Sequence, residues 1–131
     1  MKGVDTTFLI HLLRKDPNAT AKAVELDNEP LVFTTEANVY EIVSGIKPNE
    51  NVDRILQDLG ALLNKLVVLP LDRKASIKAG FIFSTLMKQG KTIDDIDCLT
   101  AGILLTNGCE KIVTRNTKHF ERISGLIVEV Y

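Results

Sequence analysis

Residues 92–114 read TIDDIDCLTAGILLTNGCEKIVT, and this stretch decides the predicted fold. Its first part has helical periodicity and is apolar almost all round, while its last part, Lys111 to Thr114, is a short β-rich run. Asp97 lies on one face of this helix together with Ile93, Thr100, Ala101 and Leu104. Because an unpaired charge costs several kcal/mol to bury, we expect the carboxylate on this face to have a partner or a function.

The rest of the chain repeats this alternation of helical segments with short β-rich runs. The runs are Met1 to Val4, Leu31 to Thr34, Leu66 to Leu69, Lys111 to Thr114 and Leu126 to Val130. Strands separated by helices are typical of a parallel sheet that is covered on both faces. We therefore expect an α/β protein, a three-layer α/β/α sandwich around a central, mainly parallel sheet of about five strands.

Five further helices are predicted between the β-rich runs. The clearest has apolar residues at i, i+3, i+4 and i+7 from Val52 onward to Leu66. The others cover Thr6 to Leu13, Ala19 to Leu26, Thr35 to Ser44, and Arg73 to Gly90, where the glycine is a natural stop. Thr92-Ile93-Asp94-Asp95 fits the capping-box pattern, which offers Asp95 a purely structural role at the start of the late helix.

Length and composition are those of an ordinary globular protein. The 131 residues are 45% hydrophobic and 25% charged, which excludes disorder and predicts a single domain over residues 1–131. Sixteen basic residues nearly balance seventeen acidic ones, so no global field attracts nucleic acid or a membrane. We expect a cytoplasmic protein, since no apolar run is long enough to cross a bilayer and no signal peptide is evident. Cys98 and Cys109 lack a CxxC pattern and are expected as reduced core thiols.

Three acidic residues stand out by their positions: Asp5 directly after the first run, Glu41 on the helix after the second, and Asp97. Open α/β sheets bind ligands at the carboxyl ends of their strands, where these residues can converge. Clustered carboxylates commonly share cations, and hard oxygen ligands select Mg²⁺ or Mn²⁺, which favours phosphodiester hydrolysis. The alternatives are a helix N-cap for Asp5 and a solvated position for Glu41.

Other motifs are weaker. Gly90-Lys91-Thr92 resembles the end of a P-loop but lacks the required upstream glycine, so a helix stop is the better interpretation. His11 and His119 have no neighbour at ligand spacing and are interpreted as non-catalytic. Arg115, Lys118 and Arg122 follow the fourth run and are either phosphate contacts or a solvated basic loop.

Four segments of the chain, taken together, resemble the PIN-domain ribonucleases, especially the VapC-type toxins of prokaryotic toxin–antitoxin pairs. They are Val4-Asp5-Thr6-Thr7-Phe8-Leu9-Ile10, Asn38-Val39-Tyr40-Glu41-Ile42, Ile93 to Ala101, and Ile112 to Phe120. The resemblance implies that Asp5, Glu41 and Asp97 bind Mg²⁺ or Mn²⁺, with Asp95 at a commonly acidic neighbouring position. Many members carry a fourth acid where this chain has Asn116. The resemblance also implies a homodimer and a small antitoxin partner.

The sequence therefore predicts a Mg²⁺- or Mn²⁺-dependent endoribonuclease that cleaves single-stranded RNA and acts as the toxin of a pair. The expected substrate contacts are the hydroxyls of Thr6 and Thr114 together with Arg115, Asn116 and Lys118. The main alternative is a non-catalytic PIN module that binds RNA or a protein. A phosphatase of the haloacid-dehalogenase type is disfavoured because Thr7 stands where its second acid belongs. Leu9, Leu12 and Leu13 either contact a partner or lie in the core.

Overall fold

The computed structural model describes residues 1–131, and its centre is a single five-stranded sheet. The strands, in chain order, are β1 (Lys2–Val4), β2 (Val32–Thr35), β3 (Val67–Leu69), β4 (Lys111–Val113) and β5 (Ile127–Glu129). Their spatial order is β3-β2-β1-β4-β5, and all four pairings are parallel. The prediction of a five-stranded sheet is confirmed, and the sheet is entirely rather than mainly parallel.

Seven helices surround this sheet. In chain order they are α1 (Thr6–Leu13), α2 (Pro17–Leu26), α3 (Glu36–Ser44), α4 (Val52–Leu63), α5 (Arg73–Lys88), α6 (Asp95–Thr106) and α7 (Thr117–Phe120). None of them is long and apolar enough to cross a membrane. The short α7 was not predicted from the sequence, where the basic residues of this region were interpreted either as phosphate contacts or as a solvated basic loop.

Two hydrophobic clusters cover the two faces of the sheet. Successive residues of a strand point to opposite faces, and in β4 the fully buried Ile112 and Val113 belong to different clusters. Ile112 packs with residues of α5, α6 and α7, whereas Val113 packs with residues of α1, α2 and α4. The three-layer α/β/α arrangement predicted from the alternation is therefore confirmed.

Helix boundaries differ from the predicted ones where a cap or a strand competes. α2 begins at Pro17, two residues earlier than predicted, because Asp16 is its N-cap and accepts a hydrogen bond from the Ala19 amide at 2.9 Å. α4 ends at Leu63 although the apolar periodicity continues to Leu66, since β3 begins at Val67. Gly90 adopts a left-handed φ of 67°, which confirms its expected role as a helix stop.

The predicted capping box at the start of α6 is wrong. The N-cap residue is Asp94, it makes no side-chain cap hydrogen bond, and α6 begins at Asp95. Thr92 lies two residues too early to serve as the cap, because residues 91–94 are irregular and α6 begins only at Asp95. The Asp94 carboxylate therefore makes no capping hydrogen bond at the start of α6.

The closest helix packing joins α5 and α6. A Cβ atom added to Gly102 would lie 2.8 Å from both the backbone carbonyl oxygen of Ala75 and the backbone nitrogen of Ala79. Gly102 therefore allows the two helix backbones to approach more closely than any side chain would permit. This contact anchors α6, the helix that carries Asp97. Cys98 and Cys109 are both buried and free, as predicted.

Candidate active site at the carboxyl edge of the sheet

Asp5 lies where β1 ends, beside the residue that follows β4. Val4 is in register with Val113, so Asp5 and Thr114 are neighbours at the carboxyl edge. The Thr114 hydroxyl donates to Asp5 Oδ2 at 2.5 Å, and the Phe8 amide donates to Asp5 Oδ1 at 3.0 Å. Asp5 is thus also the N-cap of α1, and the structural and functional interpretations of this residue are compatible.

Burial governs the electrostatics of Asp5, which is only 2% exposed. Desolvation raises the pKa of its carboxyl from 3.8 to about 6, although the Thr114 hydroxyl and the Phe8 amide favour the ionised form. The negative charge of Asp97 contributes to this raised pKa, so the two carboxylates lie within electrostatic reach of each other. A cation bound between such groups would relieve this repulsion.

Asp97, in the first turn of α6, is the second buried carboxylate. Its Oδ2 atom lies 2.6 Å from His119 Nδ1 and accepts a hydrogen bond from Asn116 Nδ2 at 3.0 Å. Burial raises the pKa of Asp97, the nearby His119 lowers it, and the charges of Glu41 and Asp94 raise it. The side chains that follow β4 thus orient this carboxylate.

A potential metal-binding group surrounds Asp97. Ligand atoms of Asp94, Asp97 and His119 all lie within 4.8 Å of one another. Two carboxylates and an imidazole form a donor set that suits Mn²⁺ or Mg²⁺, with the imidazole favouring the transition metal. Divalent cations therefore fit the chemistry of the side chains present.

Two of these residues were not identified from the sequence. His119 was interpreted as non-catalytic, and Asp94 was assigned only to the start of a helix. Asp94 lies three residues before Asp97, and His119 lies three residues after Asn116 across a helical turn. Because α7 was not predicted from the sequence, the direction in which the His119 ring points could not be inferred.

Glu41 and Asp95 occupy different positions relative to this group. Glu41 is half-buried on α3, and its charge raises the pKa of Asp97. Asp95 is exposed and lies outside the group of possible ligands, and its charge is felt at Cys98, whose pKa is raised to about 11 mainly by burial. Asp97 thus interacts electrostatically with both Asp5 and Glu41, and the possible ligand at the start of α6 is Asp94 where Asp95 was expected.

The predicted substrate contacts fall into a buried and an accessible set. Thr6 and Thr114 are buried, and their hydroxyls already have partners within the protein. Asn116 is half-buried and donates to Asp97. Lys118 is exposed on α7.

Arg115 is half-buried and contacts the side chains of Asp16 and Tyr131. Its Nη2 atom donates to Asp16 Oδ2 at 2.8 Å, and its guanidinium carbon lies 4.5 Å from the centre of the Tyr131 ring. The Tyr131 hydroxyl lies 2.6 Å from His11 Nδ1. The pKa of Tyr131 is raised to about 12, mainly by burial and in part by the negative charge of Asp5, so this cluster borders the acidic edge.

Comparison with known proteins agrees with this geometry. The PIN domain family model matches residues 3–126. The chain is 27% identical over 126 residues to the tRNA(fMet)-specific endonuclease VapC of Shigella flexneri, covering 96% of this chain and 94% of that protein. It is 29% identical over 127 residues to the ribonuclease VapC1 of Haemophilus influenzae, covering 94% and 92%.

A solved structure shows the same fold. VapBC2 of Rickettsia felis, bound to a DNA fragment from its promoter, contains a chain that superposes with a TM-score of 0.87 at 21% identity, covering 99% of this chain and 98% of that one. The match to the PIN model spans nearly all of the sequence, and the curated relatives extend over the same length. The chain therefore belongs to the PIN domain family, in its VapC branch.

Proposed function

We propose that this protein is a divalent-metal-dependent endoribonuclease that hydrolyses single-stranded RNA, acting as the toxin of a toxin–antitoxin pair. The observation that carries the proposal is the pair of buried carboxylates, Asp5 and Asp97, held at the carboxyl edge of the sheet. Both have a raised pKa, and Asp97 has Asp94 and His119 beside it and feels the charge of Glu41. Buried acids of this kind are retained where they bind a cation or do chemistry.

The residues that would hold the metal ion are Asp97, Asp94 and His119, together with Asp5 and Glu41. Asp95 remains a proposed contributor only by its neighbouring position on α6. When bound, a divalent cation supplies Lewis acidity, which activates water and stabilises charge that develops on a phosphoryl group. Mg²⁺ and Mn²⁺ are the ions that carboxylate oxygens favour.

Hydrogen bonds within the protein orient the carboxylates of Asp5 and Asp97. The Thr114 hydroxyl and the Phe8 amide fix both oxygens of Asp5, and His119 and Asn116 fix Oδ2 of Asp97. Carboxylates locked in this way need no reorganisation when charge develops nearby.

The cations provide the affinity for the RNA backbone. Lys118 is exposed and Arg115 lies directly after Thr114, so both can approach phosphates of a strand that lies along the acidic edge. The overall charge of −1 means that attraction depends on this local set. Arg115 must exchange Asp16 for a phosphate, or keep Asp16 and contact the strand with its remaining donors.

We also propose a homodimer and a small antitoxin protein as partners. The R. felis neighbour is a VapBC assembly, which supports an antitoxin partner for this chain. Leu9 is fully buried, so it belongs to the core, whereas Leu12 and Leu13 line a groove of about 610 Å³ between α1, α2 and α4. This groove is large enough for apolar side chains of a protein segment.

RNA cleavage by the purified protein tests the proposed activity. A mixed, structured RNA is incubated with Mg²⁺, with Mn²⁺ and with EDTA, using the wild type, Asp97→Asn and Asp53→Asn. Asp53 is exposed in the first turn of α4, so its substitution controls for the loss of a carboxylate in general. We expect metal-dependent cuts by the wild type and Asp53→Asn, and at least a hundredfold slower cleavage by Asp97→Asn.

A different outcome would favour the alternative function, a non-catalytic PIN module that binds RNA or protein. Asn116 supports that alternative, because it is neutral where many relatives of this type carry a fourth acid, and its amide donates to Asp97. A folded, partner-free wild type that binds RNA yet cuts nothing in either metal contradicts the nuclease. Full activity of Asp97→Asn contradicts the assignment of the site.

A further inference from the structure

A buried amide joins the elements that carry the candidate metal ligands. Asn38, on the first turn of α3, is 1% exposed. Its Nδ2 atom donates to Thr6 Oγ1 at 2.9 Å and to Thr100 Oγ1 at 3.1 Å. Thr6 begins α1 and Thr100 lies on α6, so one side-chain amide bridges helices from opposite layers of the sandwich.

The oxygen of the same amide contacts the end of β2. Asn38 Oδ1 accepts from Thr35 Oγ1 at 2.8 Å and lies 3.3 Å from Thr34 Oγ1. An asparagine amide offers two donor hydrogens and an oxygen with two lone pairs. Both hydrogens and one lone pair have a partner of their own, while the single hydroxyl hydrogen of Thr34 is shared between Asn38 Oδ1 and the Val4 carbonyl oxygen, which lies at 3.1 Å. The threonine hydroxyls belong to the same closed network, because Thr100 donates onward to the Ile96 carbonyl oxygen at 2.8 Å.

Both acceptors of the Asn38 side-chain NH₂ group lie near a candidate metal ligand in the chain. Thr6 directly follows Asp5 in the chain, and Thr100 is one helical turn after Asp97. Glu41 is one turn after Asn38 itself on α3. The amide therefore connects three backbone segments, each of which carries one acid.

We propose that Asn38 is a positioning residue that sets the mutual spacing of Asp5, Glu41 and Asp97 for a divalent cation. The proposal rests on the metal centre proposed above. Three carboxylates repel one another, so without a cation the elements that carry them tend to separate. Directional hydrogen bonds in a buried network resist that separation and hold one arrangement of the three segments, which apolar contacts alone define less sharply.

Capping of α3 accounts for the contacts between Thr35 and Asn38, because Thr35 is the N-cap and its hydroxyl accepts from the Asn38 backbone amide at 3.2 Å. Capping does not account for the bonds from the Asn38 side chain to Thr6 and Thr100. Replacing buried hydrogen-bonded groups by apolar groups of similar shape is often neutral, so a core of this size has no need of five buried polar side chains at one point. The five are Thr6, Thr34, Thr35, Asn38 and Thr100, all at the carboxyl edge. Their position beside the acids is what a role in positioning requires.

The test compares Asn38→Leu with the wild type in two measurements that need no RNA cleavage. Leucine has nearly the same volume but no hydrogen-bonding group. We expect Mn²⁺ to bind at least tenfold more weakly in a calorimetric titration. We also expect faster hydrogen exchange, in EDTA, of amides in the first turns of α1 and α6. Thr100→Val removes only the bond to α6 and should change both quantities in the same direction by less.

Leu126→Ala is the matched control. Leu126 is buried at the amino end of β5, on the opposite edge of the sheet, so its truncation lowers stability without touching the acids. We expect this variant to keep the wild-type affinity for Mn²⁺. An equal loss of affinity in Leu126→Ala and Asn38→Leu would mean that general destabilisation is responsible, and would overturn the proposal.

The remaining outcomes separate the two proposals. A folded Asn38→Leu protein with wild-type Mn²⁺ affinity overturns the role of Asn38 alone. A wild type that binds no Mn²⁺ overturns the metal centre, and the positioning role with it. If Asn38→Leu fails to fold, Thr100→Val decides: weaker Mn²⁺ binding supports the role and unchanged binding overturns it.

Discussion

At the residue scale, Asp5 is both the N-cap of α1 and a candidate metal ligand, and its burial lowers the stability of the folded protein. The carboxyl is ionised at neutral pH although its environment favours the neutral form, since burial raises its pKa from 3.8 to about 6. Between these two values the folded state binds more protons than the unfolded state, so this group makes folding less stable as pH rises through that window. Above pH 6 the full penalty is present.

Asp5→Asn should therefore stabilise the metal-free protein at pH 8. The asparagine oxygen can still accept from the Phe8 amide, and its NH₂ group can donate to the Thr114 hydroxyl. The shift of about two pKa units sets an upper limit of about 3 kcal/mol for the gain. Urea unfolding in EDTA at pH 8 and pH 4 measures it, with Asp53→Asn as control. A gain that is equally large at pH 4 would contradict the electrostatic cause.

His119 should influence which metal is preferred. An imidazole nitrogen is a better ligand for Mn²⁺ than for Mg²⁺, and the His119 ring lies within ligand distance of Asp94 and Asp97. His119→Ala should reduce the affinity for Mn²⁺ by about tenfold and that for Mg²⁺ by less, about threefold on the scale of one lost ligand contact. Calorimetric titration with each metal measures the ratio. Equal losses would show that His119 acts only through orientation of Asp97.

Sequence reasoning reached some of these residues and not others, for physical reasons. Asp97 could be identified because a carboxylate on an apolar helix face is costly, and that cost is visible in the residue pattern. His119 could not, because its role depends on the direction given by α7, a four-residue helix without apolar periodicity. Asn38 was likewise hidden, since its importance lies in contacts with residues 32 and 62 positions away.

At the element scale, the pairing of α5 and α6 fixes where Asp97 lies. The backbones approach so closely at Gly102 that an added Cβ would lie 2.8 Å from backbone atoms of Ala75 and Ala79. Gly102→Ala should consequently lower the free energy of unfolding by about 1–3 kcal/mol, as overpacked cores do. Denaturant unfolding measures the change.

Gly80→Ala, on α5 itself, is the matched control. A Cβ atom at Gly80 would meet nothing within 4 Å, so the substitution should increase stability by about 0.5–1 kcal/mol through helix propensity. Both substitutions change glycine to alanine within the same pair of helices. A difference between their effects on the free energy of unfolding therefore measures the packing of α5 against α6. A neutral Gly102→Ala would show that α6 can shift, and would weaken the claim that the position of Asp97 is fixed by α5.

Element types were more predictable than their ends. The alternation of β-rich runs and helical periodicity was sufficient for the five-stranded sheet, because parallel strands buried on both faces are continuous apolar runs. The end of α4 could not be predicted in this way, since Leu66 continues the apolar face of the helix and also directly precedes β3. In such a segment the tertiary pairing of β3 with β2 decides, and that pairing is not local in sequence.

At the scale of the whole molecule, the small number of cations near the acidic edge predicts weak salt dependence of RNA binding. With about two phosphate contacts, the slope of log affinity against log salt for a single strand should be about −1.4. Lys118→Ala should reduce its magnitude by about 0.7 and weaken binding to all sequences alike. Fluorescence anisotropy in EDTA measures this. Lys111→Ala, at the amino end of β4, should leave the slope unchanged, and an equal effect of both would contradict binding at the acidic edge.

The most direct test of the metal centre is diffraction from crystals grown with Mn²⁺, measured at a wavelength where manganese scatters anomalously. The proposed metal centre predicts an anomalous peak at the carboxyl edge, within about 2.3 Å of an Asp97 carboxylate oxygen. One or more further ligands should come from Asp5, Glu41, Asp94 and His119. A peak elsewhere on the molecule, or none at this edge at Mn²⁺ concentrations that support RNA cleavage, would contradict it.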